Sequence, residues 1–112
     1  MINVLEVNGQ KAVISFDPET GMFRGEFVGL NGGADFYAED VAGLRREGKA
    51  SLETFMEVCR ERGIDPIRRF SGKFQVRLDE SLHAKAVTAA AAQGKSLNQF
   101  VAEAIEREAA NS

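Results

Sequence analysis

The chain has 112 residues, 44% of them hydrophobic and 28% charged, which suits one folded domain or two very small ones and excludes wholesale disorder. A single cysteine, Cys59, and a single histidine, His83, leave too few ligands for an internal disulfide or a Cys/His zinc site. Net charge is -3, which argues against indiscriminate nucleic-acid binding. The opening residues MINVLEVNGQ lack a basic region followed by an unbroken apolar run, and no stretch approaches the roughly 20 apolar residues of a spanning helix, so a cytoplasmic protein is expected.

The charge is unevenly ordered. Residues 1–70 carry nine Lys/Arg against twelve Asp/Glu, whereas residues 71–112 carry five of each. Arg68, Arg69, Lys73 and Arg77 follow one another with no acid between them, so a local basic strip is compatible with an acidic chain.

In chain order, the first expected element is a hairpin. Lys11 to Phe16 and Met22 to Leu30 flank the turn formers of Asp17-Pro-Glu-Thr-Gly21, and Phe23, Gly25, Phe27 and Gly29 alternate on one side. Asn31-Gly-Gly33 makes a second turn before a short third strand, Asp35 to Ala38. Such a meander needs a cover for its apolar face. Val41, Leu44, Leu52, Phe55, Met56 and Cys59 supply one at helical spacing, with Asp40 as N-cap and Gly63 as terminator. Gly48 weakens the middle, so one helix with a soft centre is expected, with two helices broken at Gly48 as the alternative.

Residues 66–72 read as a linker between an N-terminal α+β domain, 1–65, and a C-terminal domain, 73–112. Lys73 to Leu78 alternates, with Phe74, Val76 and Leu78 on one side and Lys73, Gln75 and Arg77 on the other. An alanine-rich helix over 82–93 follows, then Gly94. Ser96 caps a last helix bearing Leu97, Phe100, Val101, Ala104 and Ile105 at helical period. One strand and two short helices leave an apolar face uncovered. Pairing with a second chain through an antiparallel ribbon would bury Phe74, Val76, Leu78, Leu82, Phe100, Val101 and Ile105 as a dimer core. Lys73, Gln75 and Arg77 would then point outward, as donors suited to base edges in the major groove, and the helix start at Ser96 to Asn98 would face a phosphate.

Lys73-Phe-Gln-Val-Arg-Leu-Asp-Glu-Ser-Leu82 and Gly94-Lys-Ser-Leu-Asn-Gln-Phe-Val101 resemble the ribbon-helix-helix domain of bacterial antitoxins and repressors. Phe70-Ser-Gly-Lys-Phe74, preceded by Cys59-Arg-Glu-Arg-Gly63 and Pro66, is similar to the HicB family of antitoxins. The resemblance implies a partial ribonuclease-H-like N-terminal domain joined to a ribbon-helix-helix domain. It implies base contacts by Lys73, Gln75 and Arg77, and phosphate contacts by Lys95, Ser96 and Asn98. The expected partners are a double-stranded DNA operator, a second copy of the chain with tetramers left open, and a HicA-like mRNA-cleaving toxin held by the N-terminal domain. The expected role is that of a repressor and antitoxin. An orphan regulator without a toxin is the alternative, and a ribonuclease-H-like nuclease, degenerate or active, is another.

The residues point away from catalysis, and no cofactor, metal site or catalytic residue is assigned. Two-metal hydrolysis needs several converging carboxylates; of Asp17, Glu19, Glu26, Asp35, Glu39 and Asp40, the first two sit in a turn, Glu26 alternates away from the aromatic side of its strand, and Asp35 and Asp40 could approach across a strand end but without a third carboxylate make a poor cage. His83 reads as a surface residue and Cys59 as a small buried hydrophobe. Arg68 and Arg69 suit either a phosphate contact or a solvated linker.

Overall fold

A computed structural model describes residues 3–110. The chain divides between Ser71 and Gly72 into two compact units.

The N-terminal unit is an antiparallel sheet of four strands, β1 (Val4–Val7), β2 (Gln10–Asp17), β3 (Met22–Phe27) and β4 (Asp35–Ala38), under one helix, α1 (Val41–Arg62). Every strand pairs with its neighbour in sequence, so the order is β1-β2-β3-β4. The antiparallel sheet and its covering helix are those expected, with one strand more. β1 enters through Asn8-Gly9, where both residues have positive φ, 47° and 82°, and Val7 pairs with Gln10. That is the backbone of a two-residue type I′ hairpin turn.

Alternation decides which side chains meet the helix. Val7, Ala12, Phe27, Phe36 and Ala38 are buried on the covered face, and Leu44 and Leu52 come down on them from α1. The Phe27 and Phe36 rings meet at 5.3 Å between centroids. Phe36 fixes how closely the layers approach. A Cβ on Gly25 of β3 would lie 2.2 Å from Phe36 Cζ, and one on Gly48 of α1 would lie 3.0 Å from the same atom. The ring is thus clasped between two glycines, one per layer. α1 runs unbroken through Gly48, since the residue that weakens the helix locally is the one that admits the ring.

Both ends of α1 are capped as expected. Asp40 Oδ1 accepts from Gly43 N at 2.7 Å, and Gly63 turns left-handed at φ 66° while Ile64 N donates to Cys59 O at 2.9 Å. The chain then returns to the sheet side. Ile67 bridges Leu30, Asn31 N donates to Pro66 O at 2.9 Å, and Arg68 N donates to Gly29 O at 3.0 Å. Asp65 shapes this return by accepting from Ile67 N at 3.0 Å and from Arg69 Nε at 3.1 Å. The Ile67 amide, and then Arg69, hold its carboxyl below the usual carboxylate range.

The C-terminal unit corrects the expected fold class. Its regular elements are two helices, α2 (Glu80–Ala92) and α3 (Leu97–Ala110), and none of its described residues is in a strand. Lys73 to Leu78, expected as the arm of a ribbon, is irregular and exposed throughout. The reason is physical. Alternation assigns side chains to two sides, but a strand also requires a neighbouring backbone to complete its ladder, and among the described residues no strand pairs with 73–78. The ribbon-helix-helix description therefore does not hold.

Candidate interaction site

α2 begins at Asp79, whose Oδ1 accepts from Leu82 N at 2.7 Å. That cap starts the helix two residues before the expected Leu82. α3 begins after Ser96, whose Oγ accepts from Gln99 N at 3.1 Å. Ser96 is therefore a cap, as read from sequence, and its hydroxyl is engaged within the helix end. Lys95, expected at a phosphate, pairs with Glu103 of α3. Asn98 lines a groove of about 560 Å³ formed within the unit.

That groove is the unit's main feature. Phe74, Val76 and Leu78 line it from the irregular segment, and Leu97, Val101 and Ile105 from α3. Phe74 is 74% exposed, Val76 57% and Leu78 43%, and Leu82 and Ile105 are exposed as well. Phe100 and Val101 are half-buried. Ala90 alone among the described residues of the unit is buried. Of the residues expected to form a dimer core, Phe74, Val76, Leu78, Val101 and Ile105 thus line one open groove within one chain, whereas Leu82 and Phe100 lie outside its lining. Lys73, Gln75 and Arg77 are exposed on the same irregular segment, and the base-reading geometry expected of them is withdrawn together with the strand. The repressor role derived from it falls too.

A HicB family model matches residues 55–105. The matched stretch runs from Phe55 in α1 through α2 and into α3. No curated protein and no solved structure matches the chain.

The N-terminal unit offers a second surface. On the sheet face away from α1, Arg24 Nη1 lies 2.9 Å from Glu26 Oε2 and its Nη2 lies 3.2 Å from Asp35 Oδ2. Glu26 first, and then Asp35, hold the guanidinium even more firmly protonated. The carboxylates weighed for two-metal chemistry have local tasks: Asp17 accepts from Glu19 N in its turn, Glu26 and Asp35 bracket Arg24, and Asp40 caps α1. Among the described residues no three His, Cys, Asp or Glu side chains are grouped to hold a metal ion. No described helix is long and apolar enough to cross a membrane. Arg68 lies over the Phe70 ring at 4.9 Å, and Arg69 pairs with Asp65.

Sequence reasoning missed β1 and the Asp79 cap. The signals were present: Asn-Gly between apolar residues marks a type I′ hairpin, and Asp three residues before a bonded helical amide marks an N-cap.

Proposed function

We propose that the chain is the antitoxin partner of a toxin–antitoxin pair, acting in the cytoplasm without catalysis of its own. The match of residues 55–105 to the HicB family is the observation that carries this reading. Its N-terminal unit binds a small HicA-like RNA-cleaving protein, and its C-terminal unit joins two copies of the chain. The negative balance of residues 1–70 supports the first part, since a ribonuclease must itself present a basic surface to RNA, and opposite fields speed encounter. The open apolar surface of Phe74, Val76, Leu78, Val101 and Ile105 supports the second. Covering it would contribute about 25 cal/mol for each Å² of apolar area removed from water.

Copurification tests the reading. The tagged full chain, expressed with the product of the adjacent gene, is expected to retain a small ribonuclease and to suppress its cleavage of RNA. A neighbour that neither binds nor cleaves RNA removes the antitoxin role.

A further inference from the structure

The outer edge of β4 is open, and one hydrogen bond reveals which of its groups are free. Phe27 N donates to Ala34 O at 3.1 Å across the β3–β4 pair. Bonded pairs recur at every second residue of an antiparallel ladder, so Gly25–Phe36 and Phe23–Ala38 are the bonded pairs. The main-chain groups of Asp35 and Tyr37 therefore point away from the sheet. Ser51 of α1 donates to Asp35 O at 3.1 Å. The N–H and C=O of Tyr37 and the N–H of Asp35 have no partner among the described residues, and Tyr37 is 41% exposed.

A groove runs beside this edge, between β4 and α1. Phe36, Ala50, Phe55 and Val58 give it an apolar lining with Glu47 among them, while the Asp35 carboxylate pairs with Arg24 on the other sheet face. Ala50, Thr54 and Val58 continue into a neighbouring depression that carries Glu53, Glu57 and Glu61 along the same side of α1. No lysine or arginine lines either one. Two of the acids already have a cation beside them, Glu47 with Arg46 at 3.7 Å and Glu57 with Arg60 at 3.2 Å, both pairs exposed.

We infer that the β4 edge and its groove accept an extended, basic segment of a protein partner as a fifth strand. The main-chain groups of Tyr37 and Asp35 give the added strand its ladder, and alternate side chains enter the groove. Lysine and arginine suit both features there, because their aliphatic stems cover Phe55 and Val58 while their charged ends reach the glutamates. A second copy of this chain does not suit, since edge-to-edge pairing would bring two glutamate-lined grooves together. The inference rests on the partner-binding reading of the N-terminal unit and names the element that does it.

The test uses the full chain and two labelled peptides, one alternating lysine and valine and the other glutamate and valine. The lysine peptide is expected to bind roughly tenfold tighter or more, and to slow hydrogen exchange at the Tyr37 amide. Tyr37→Pro removes a donor that β3 does not use, a change an edge strand tolerates, and should weaken binding roughly tenfold while Tyr37→Phe leaves it unchanged. Equal binding of both peptides, or an unprotected Tyr37 amide, or a folded Tyr37→Pro chain with full affinity overturns the inference. If Tyr37→Pro does not fold, the amide exchange of the unsubstituted chain decides. A copurifying ribonuclease with an unprotected Tyr37 amide would remove the strand site and leave the antitoxin reading standing; peptide binding without a ribonuclease partner would do the reverse.

Discussion

Phe36 between Gly25 and Gly48 makes two substitutions informative. Gly25→Ala places a methyl 2.2 Å from a buried ring atom, so the ring or the strand must move. Overpacking of that kind costs about 1–3 kcal/mol. Gly48→Ala sets opposing effects against each other: helix propensity gains about 1 kcal/mol, while the new Cβ meets Phe36 at 3.0 Å and Val7 at 3.3 Å. Removing the ring should reverse the balance. Urea titrations are expected to find Phe36→Ala destabilised by about 3–5 kcal/mol, and Gly48→Ala stabilising only in that background. Equal effects of Gly48→Ala in both backgrounds would mean that the ring does not dictate the glycine. A pH effect belongs to Asp65. Its carboxyl is held low by the Ile67 amide and Arg69, so its stabilisation is present above the ordinary carboxylate pKa and is lost as pH falls through the lowered value. Protection of the Ile67 amide, taken relative to its intrinsic exchange rate at each pH, should fall on acidification below the ordinary carboxylate range. In Asp65→Asn, which cannot ionise, that acid dependence should vanish.

At the scale of elements, what could be read in advance was what a single segment encodes by itself. The β3 and β4 positions and the α1 caps at Asp40 and Gly63 are local signals of alternation and end chemistry, and the structure has them where the sequence puts them. β1 is equally local, with its Asn8-Gly9 turn. Gly9→Ala should cost about 1 kcal/mol or more, because a Cβ is disfavoured at φ 82°; an unchanged thermal midpoint would contradict the turn assignment. Lys73 to Leu78 was misread because its pattern is only half of what defines a strand, the other half being a neighbour the chain does not supply. Gly48 carried the opposite lesson. Its local cost was visible, but the ring that compensates it is twelve residues back on β4, and nothing local announces that contact. Of the site, the apolar residues of the C-terminal surface were legible from their periodicity. The Lys95–Glu103 pair was not, because the nearness of the two side chains depends on how the turn at Gly94 sets Lys95 against α3.

For the whole molecule, the central expectation is that two chains share the apolar surface of the C-terminal unit. Val76→Asp introduces a charge where burial is expected, and a charge buried without a partner is strongly unfavourable. Sedimentation of the full chain should find a dimer that this variant loses, while the N-terminal sheet and α1 keep their circular dichroism contribution. A wild-type chain that sediments as a monomer at all concentrations, with α2 and α3 fully formed, would contradict the shared core.

The scarcity of burial in the C-terminal unit also bears on how long a molecule survives. With Ala90 the sole buried side chain among its described residues, a lone unit has little apolar burial to offset the ordering of its backbone, which costs roughly 1–2 kcal/mol per residue. Under the proposed dimerisation, its helices are expected to open in a solitary chain and close when two chains meet, so that the susceptible fraction would follow the dissociation equilibrium. Proteases act on that opened fraction. On that proposal dilution would act as a degradation signal: each drop in abundance would expose proportionally more of the remaining chains, and the protein's lifetime would shorten as its supply falls.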